Sequence, residues 1–486
     1  MSSSTTNSNE SSLPQPSDNR ARWWNPFHWR FAVWVGLVVC FFALLPFGFR
    51  WYVLSQVPVM AEPFDIAAFV VEPIPDDENA FTEYRQAITM LEALQKPLAA
   101  RSIQQPRNLN KSEELDWDPA DAEMQAWLEE HRAVLAVWRR GTEKDRALAF
   151  DLTQVSVNYS VINHYFELHK LSQSALAEQA RSLHEGNVEE ARRLARAVFR
   201  CGGHVSWRST FLNGLLGMTL HEMSFLGIRR WAEHPSVTAE QLRNALAEVR
   251  TDFKLYDAES SMMKLEYVAL RNTVSRRNVL LDLADTGVIG PPMNSAMRFG
   301  RAGMLWLNGE PDLILRLLDQ ITANQLREVD KSVANRRRLL SSNPTILFDS
   351  DGDVDRADGE LTGTEIINAL KLSSVASLMV SSRRQFDQCY RALLARQAVL
   401  KTLLALQIYR REQGVFPERL DQLVPEFLEA VPLDPCHPAV TPLVYRRNSQ
   451  QQFVLYSIGS NSTDDGGALG SNERSPDIGF ELKETP

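Results

Sequence analysis

The chain is poor in the residues and motifs that define several large classes of protein. Its four cysteines, Cys40, Cys201, Cys389 and Cys436, lie far apart, which excludes a zinc ribbon and a dense disulfide framework but leaves open one bridge among the last three. The sequence has no phosphate-binding loop, dinucleotide-binding fingerprint or G-x-S-x-G motif. A net charge of -9 disfavours phosphate backbones as ligands. We therefore expect no nucleic-acid partner.

One long apolar run stands near the N-terminus. Residues 1–20 are rich in Ser, Asn, Thr and Pro, a composition that cannot offset the entropy of folding, so residues 1–30 are predicted to be a disordered tail. Residues 31–49 form an uncharged run of 19 residues, close to the roughly 20 that a helix needs to cross a bilayer. Tryptophans flank this run on both sides, as in the aromatic belts of membrane helices. The pattern predicts a single-pass transmembrane anchor over residues 31–53.

Flanking charges predict how this anchor is oriented. Arg20, Arg22 and Arg30 precede the run, whereas acidic residues soon follow it, so the positive-inside rule places the N-terminus in the cytoplasm. The expected location is the inner (cytoplasmic) membrane, with most of the chain extracytoplasmic or periplasmic. Two alternatives remain open. One is a signal peptide cleaved after Val59-Met60-Ala61, and the other is a buried core helix.

Residues 62–340 carry a dominant helical periodicity and are predicted to form a helical extracytoplasmic domain. Asp118 and Pro119 are candidates for the cap and first turn of one helix. Thr238 and Gln241 have the spacing of a capping box. A Gly-Asn step between two amphipathic stretches predicts a helical hairpin, although no repeat of fixed period is present.

The helical segment offers little sign of catalytic chemistry. His221-Glu222 begins like a zinc-protease helix, but Phe225 stands where the second histidine would be needed, so the histidines are predicted to be structural. A row of arginines on one helix has glutamates just before it, which favours a solvated face over an anion site. These arginines are Arg192, Arg193, Arg196 and Arg200.

An acidic segment, residues 341–365, separates the helical domain from the rest of the chain. Its carboxylates fall at positions 1, 3, 5, 7 and 12 of an EF-hand loop, where oxygen ligands converge on calcium, and they are Asp349, Asp351, Asp353, Asp355 and Glu360. Val354 stands where that loop needs glycine for its sharp turn, and Arg356 replaces a usually apolar residue. The segment is therefore either a solvated acidic linker or a calcium loop.

Residues 366–486 are predicted to hold a long helix followed by a small α+β module. Apolar residues recur at helical spacing up to Gly414, and a short helix is expected around ERLDQLVPEFL. The runs PLVYRR and QFVLYSIG, joined by the polar tip NSQQ, are two strand candidates.

The order YRREQGVFPERLDQL, PLDP, LVYRR and FVLYSIG, over about residues 383–480, resembles the soluble part of type II secretion major pseudopilins. The whole layout is also similar to a group of uncharacterised bacterial membrane proteins. The pseudopilin resemblance implies calcium in the loop after YSIG, with a hydrogen-bonded turn as the alternative, and the matching ligand positions are Asn461, Asp464, Asp465 and Asp477. The segment NPFHWR before the anchor lacks the pseudopilin processing site, so we expect no pseudopilin-like polymerisation.

These patterns together predict a mainly α protein with an N-terminal transmembrane helix, a helical ectodomain and a small pseudopilin-like α+β module that contains an antiparallel sheet. The expected function is that of a non-catalytic, membrane-anchored binding or scaffold protein, stabilised by calcium, with a protein partner. Two alternatives are an accessory component of a type II secretion or pilus-like assembly and a hydrolase in the helical domain.

Overall fold

A computed structural model describes residues 26–70, 73–100, 105–111, 116–152, 160–256, 258–275, 279–281, 295–332, 335–340, 346–350, 352–353, 355–373, 375–376, 383–469 and 477–482. The helices are α1 (Pro26–Ser55), α2 (Ile66–Phe69), α3 (Ala80–Ala100), α4 (Ala122–Thr142), α5 (Ser160–His184), α6 (Val188–Ser206), α7 (Phe211–Glu233), α8 (Ala239–Asp252), α9 (Glu259–Val274), α10 (Ser295–Leu307), α11 (Glu310–Leu326), α12 (Gly363–Leu370) and α13 (Arg383–Gln413). Three strands, β1 (Val444–Ser449), β2 (Gln452–Ser457) and β3 (Ile478–Leu482), form one antiparallel sheet in the order β1-β2-β3. The predicted fold class, mainly α with a small antiparallel sheet, is confirmed.

Helix α1 contains the predicted anchor and begins earlier than expected. It starts at Pro26, a residue suited to a first helical turn, inside the segment predicted to be a tail. Residues 1–25, which carry the rest of that prediction, lie outside the described residues. Within Trp29–Ser55, the apolar 18-residue window has a mean hydropathy of 2.3, and none of that window is buried against the rest of the chain. The interpretation as a buried core helix is therefore wrong.

The helices from α3 to α7 pack in sequence around a shared core. Side chains such as Tyr84, Trp138 and Leu171 are fully buried there. The predicted helical hairpin is the pair α5 and α6, which turns at Gly186 with a φ of 80°. Asn187 then caps α6 by accepting from the backbone N–H of Glu190.

Two predicted helix starts have different outcomes. The capping box of Thr238 and Gln241 is confirmed at the start of α8. Helix α4, however, begins at Ala122 with Asp121 as its cap, so the placement of the cap at Asp118 is wrong. The Asp118 carboxylate instead accepts from the N–H of Ala120 in the preceding turn, at 2.8 Å.

The predicted hairpin of two strands is confirmed as β1 and β2. The third strand, β3, was not predicted, and it pairs with the other edge of β2 through Leu455 and Phe480. Strand β2 thus lies in the centre of the sheet, and Phe453 and Leu455 are completely buried. The short helix expected around ERLDQLVPEFL is only a 3₁₀ turn over Leu420–Leu423.

The sheet and the helical region share one hydrophobic core. Helix α13 packs against α7 and α8 and also against β2 and β3. The ring of Phe225 on α7 stacks on that of Phe480 on β3, with ring centroids 4.4 Å apart. The parts of the chain before and after the acidic segment are therefore in direct contact.

Candidate functional site

The stretch around β2 is held by a buried carboxylate, Asp434, which lies in the segment PLDP. Asp434 is 2% exposed. One carboxylate oxygen accepts from the Ser457 hydroxyl at 2.7 Å and from the Cys436 N–H at 2.9 Å, and the other accepts from the Ile458 N–H at 2.8 Å. Asp434 therefore ties the Asp-Pro turn to the end of β2 and positions the loop that follows it.

Three of the predicted calcium ligands lie in that loop and form hydrogen bonds within it. The Asp464 carboxylate accepts from the Tyr456 hydroxyl at 3.0 Å and from the Gly466 N–H at 2.8 Å. The Asn461 amide donates to Asp465 at 2.9 Å. These contacts use several of the oxygens that a cation would need.

Asp477, the fourth predicted ligand, closes the loop from the other side. It is 3% exposed and precedes β3. Its carboxylate accepts from the backbone N–H groups of Gly467 at 2.8 Å, Ala468 at 3.1 Å and Asp465 at 3.4 Å. A carboxylate that faces three N–H groups compensates its charge through the backbone instead of requiring a metal.

In the acidic segment, arginines lie beside the carboxylates that were predicted to bind calcium. Asp353 contacts Arg337 at 2.6 Å and Arg327 at 3.0 Å. Arg327 also pairs with Glu360, and Arg338 lies 3.5 Å from Asp349. The Asp355 N–H and the Arg337 guanidinium hold the pKa of Asp353 below its usual range.

Calcium binding stays a prediction for both segments. Asp355 forms no ion pair with the residues that the structure describes, and Asp351 lies outside those residues. Among the residues that the structure describes, no group of three or more His, Cys, Asp or Glu side chains is placed to hold a metal ion. The arginine contacts favour the interpretation of residues 349–360 as a charge-paired connection to the helical domain.

A second polar cluster lies deep in the helical core. The Tyr84 hydroxyl lies 2.7 Å from Nδ1 of His204, and burial lowers the pKa of this histidine to about 3, aided by the nearby Arg200. Burial also raises the pKa of the Cys201 thiol to about 12. A nucleophilic cysteine must form a thiolate, so this arrangement suits a structural thiol rather than a catalytic one. All four cysteines are free, so the bridge left open among Cys201, Cys389 and Cys436 is not formed.

The solvated face predicted for the arginines of α6 holds for Arg193, which is 55% exposed beside Glu189, but not for Arg192, Arg196 and Arg200. Arg196 donates to Asp252 at 2.7 Å and Arg200 donates to the same carboxylate at 2.5 Å. Arg192 pairs with Glu248 on the same helix as Asp252. Arg192, Arg196 and Arg200 therefore pair with carboxylates on α8. The sequence did not reveal these pairs, because α6 and α8 are far apart in the chain.

The end of α1 is docked into the folded body. Val53 and Val57 are 3% and 0% exposed and pack in one cluster with residues of α11 and α12. Arg316 on α11 donates to the carbonyl oxygens of Leu54 at 2.6 Å and Val57 at 2.9 Å. Arg50 pairs with Asp312, also on α11. The apolar helix is thereby continuous with the protein core at one end and exposed along the rest of its length.

These features define a class of chain: a mainly helical protein with one exposed apolar N-terminal helix and a small three-stranded antiparallel sheet. Comparison with protein-family models, curated proteins and solved structures gave no match. The resemblance to pseudopilins therefore stays a prediction.

Proposed function

We propose that the chain is a membrane-anchored, non-catalytic protein in which α1 crosses the bilayer and the helical body with its small sheet binds or scaffolds a protein partner on the extracytoplasmic side. The observation that carries this proposal is that α1 is apolar and exposed along most of its length but packs into the protein core at its C-terminal end. The described residues contain one helix long and apolar enough to cross a membrane, and that helix is unburied except where it enters the body.

The docked end of α1 favours a retained anchor over a cleaved signal peptide. Cleavage after Val59-Met60-Ala61 would remove Val53 and Val57 from the core. It would also leave Arg316 without the two carbonyl oxygens that it contacts. Losing two buried valines typically costs a few kcal/mol of stability. If this segment were removed in the mature protein, its residues would not be expected to form part of the folded core.

The proposal is tested by expressing the full chain in a bacterium with a reporter that is active only outside the cytoplasm at its C-terminus. We expect full-length protein that stays in membranes after an alkaline wash, with an active reporter. A soluble product shortened near Ala61, or an inactive reporter on a stable chain, would contradict the proposal.

The docking of α1 is tested separately with a matched pair of variants. Val57→Asp places a carboxylate in the core and should leave the protein in the membrane but make it sensitive to protease added from outside. Val59→Asp changes a residue that is 69% exposed and should leave protease resistance unchanged. Chemical cross-linking in intact cells tests the partner, and a full-length chain that cross-links to no other protein would contradict the scaffold role.

A further inference from the structure

Helix α10 has an inverted distribution of apolar and charged side chains. Phe299 is 66% exposed and Met304 is 59% exposed, whereas Arg298 and Arg301 lie on the half-buried side beside Ala302. A helix on the surface of a water-soluble body normally turns its apolar face to the core and its charges to solvent. The outward face of α10 is instead suited to an apolar medium.

Helix α10 ends directly beside the apolar helix α1. The ring of Trp306 meets that of Phe47 edge to face, with centroids 5.5 Å apart, and the Arg50 guanidinium lies 5.0 Å from the centre of the same indole ring. Gly309, in the turn between α10 and α11, has a φ of 67°, and a Cβ atom there would lie 3.3 Å from Arg50 and 3.2 Å from Leu54. The exposed apolar residues of α10 therefore lie on a helix that directly adjoins the exposed apolar helix α1.

We infer that α10 is a second membrane-contacting element, which lies at the outer interface of the bilayer that α1 crosses and inserts Phe299 and Met304 among the phospholipid chains. This inference rests on the proposed anchor. Helix α10 has 13 residues, fewer than the roughly 20 that a helix needs to cross a bilayer, so it lies in the interface instead of spanning the bilayer.

The composition of α10 supports phospholipid as the occupant of this face. The helix SAMRFGRAGMLWL contains no acidic residue, so nothing on it repels anionic headgroups. Trp306 contacts Phe47 and Arg50 near the end of α1, close in the chain to the aromatic residue Trp51, as expected for residues near the headgroup level.

The inference is tested on the full chain by labelling single cysteines with a bimane fluorophore. The background carries Cys40→Ser and Cys389→Ser and keeps the buried Cys201 and Cys436. The probes are Phe299→Cys and Met304→Cys, with Val39→Cys inside α1 as the membrane reference and Phe166→Cys as an apolar reference elsewhere. Val39 and Phe166 are 60% and 59% exposed.

Each protein is reconstituted into phosphatidylcholine vesicles with or without brominated acyl chains, which quench bimane on contact. We expect quenching at positions 299, 304 and 39, at least about twofold above that at position 166. Quenching at position 39 alone would overturn the placement of α10 while leaving the anchor intact. Blue-shifted but unquenched emission at 299 and 304 would indicate a protein contact and would also overturn it. Absence of quenching at position 39 would overturn the anchor itself.

Discussion

At the scale of single residues, His221 occupies an environment that keeps it uncharged. Its ring lies among those of Phe199, Phe253 and Tyr256, with centroids 4.8, 6.2 and 5.2 Å away. Within the described part of the chain, neither of its ring nitrogens has a hydrogen-bond partner. Burial, and secondarily the charge of Arg396, lowers its pKa to about 3.

This histidine is expected to make the protein sensitive to mild acid. Because the pKa is about 6.5 in the unfolded chain and lower in the folded one, only the unfolded chain takes up the proton as the pH falls below about 6.5. This histidine therefore does not lower the free energy of unfolding above that pH, but below it the free energy of unfolding decreases by up to about 1.4 kcal/mol per pH unit. His221→Leu should reduce the drop in melting temperature between about pH 8 and pH 5.5.

The matched control for this measurement is His184→Leu, which changes an exposed histidine at the end of α5. It should leave the pH dependence as in the unaltered chain. An unchanged acid sensitivity in His221→Leu would show that the burial of this side chain does not determine it. His204 shares the lowered pKa and is expected to retain part of the effect.

Asp477 is predicted to be the residue on which the C-terminal loop depends. Asp477→Ala leaves three backbone N–H groups without their acceptor, at a cost of about 2 kcal/mol in the free energy of unfolding. Asp465→Ala removes an exposed carboxylate that contacts Asn461 and should cost under about 0.5 kcal/mol. Thermal melting of the two full-length variants in detergent checks this difference, and equal losses would contradict it.

The same melting experiment tests the calcium prediction. If the backbone contacts of Asp477 close the loop, calcium or a chelator should leave the melting temperature of the unaltered chain unchanged. A rise in melting temperature with calcium that disappears in Asp477→Ala would instead establish a metal site that includes this carboxylate.

At the scale of elements, Asp252 joins two helices that the sequence separates by many residues. Its side chain is completely buried between Arg196 and Arg200 of α6. Asp252→Ala would remove the buried carboxylate from both guanidinium groups, and although Arg196 keeps Glu248 and Arg200 keeps Asp145, this loss is expected to cost about 2 kcal/mol. The exposed pair of Glu129 and Arg132 provides the control, because Glu129→Ala should cost under about 1 kcal/mol. Similar melting temperatures for both variants would show that the buried network adds no stability.

The elements that sequence reasoning predicted correctly are those whose signal is local. The apolar run of α1, the capping box of Thr238 and the strand runs PLVYRR and QFVLYSIG each depend on residues that are consecutive or close together in the chain. Strand β3 was missed because its five residues acquire strand structure from the free edge of β2.

Long-range contacts account for the features of the site that were not predicted. Asp434 reaches Ser457 and Ile458 across the fold, and Arg327 reaches the acidic segment from the end of α11. Neither contact has a spacing rule that a single sequence could reveal. The segment of α10 that holds Phe299, Met304 and Trp306 also holds two arginines, but the sequence does not show which of these side chains face outward, and the meaning of that face depends on the position of α1.

At the scale of the whole molecule, the shared core makes the C-terminal sheet and the helical region dependent on each other. Phe225 and Phe480 are 4% and 1% exposed and stack across the boundary. A buried ion pair between Glu259 on α9 and Arg383 at the start of α13 spans the same boundary. An isolated C-terminal fragment would expose the face of α13 that α7 and α8 cover.

We therefore expect the two regions to unfold together, and two buried thiols can report it. Cys201 lies in α6 and Cys436 lies beside the sheet, and both are 0% exposed. On heating the full chain with a thiol reagent, mass spectrometry of the labelled peptides should show both becoming reactive at one midpoint. Phe225→Ala should lower both midpoints equally, because it costs about 3 kcal/mol of shared core, whereas Phe166→Ala at an exposed site should lower neither. If Cys436 reacts at a clearly lower temperature than Cys201, the sheet unfolds independently and the shared core does not couple the two regions.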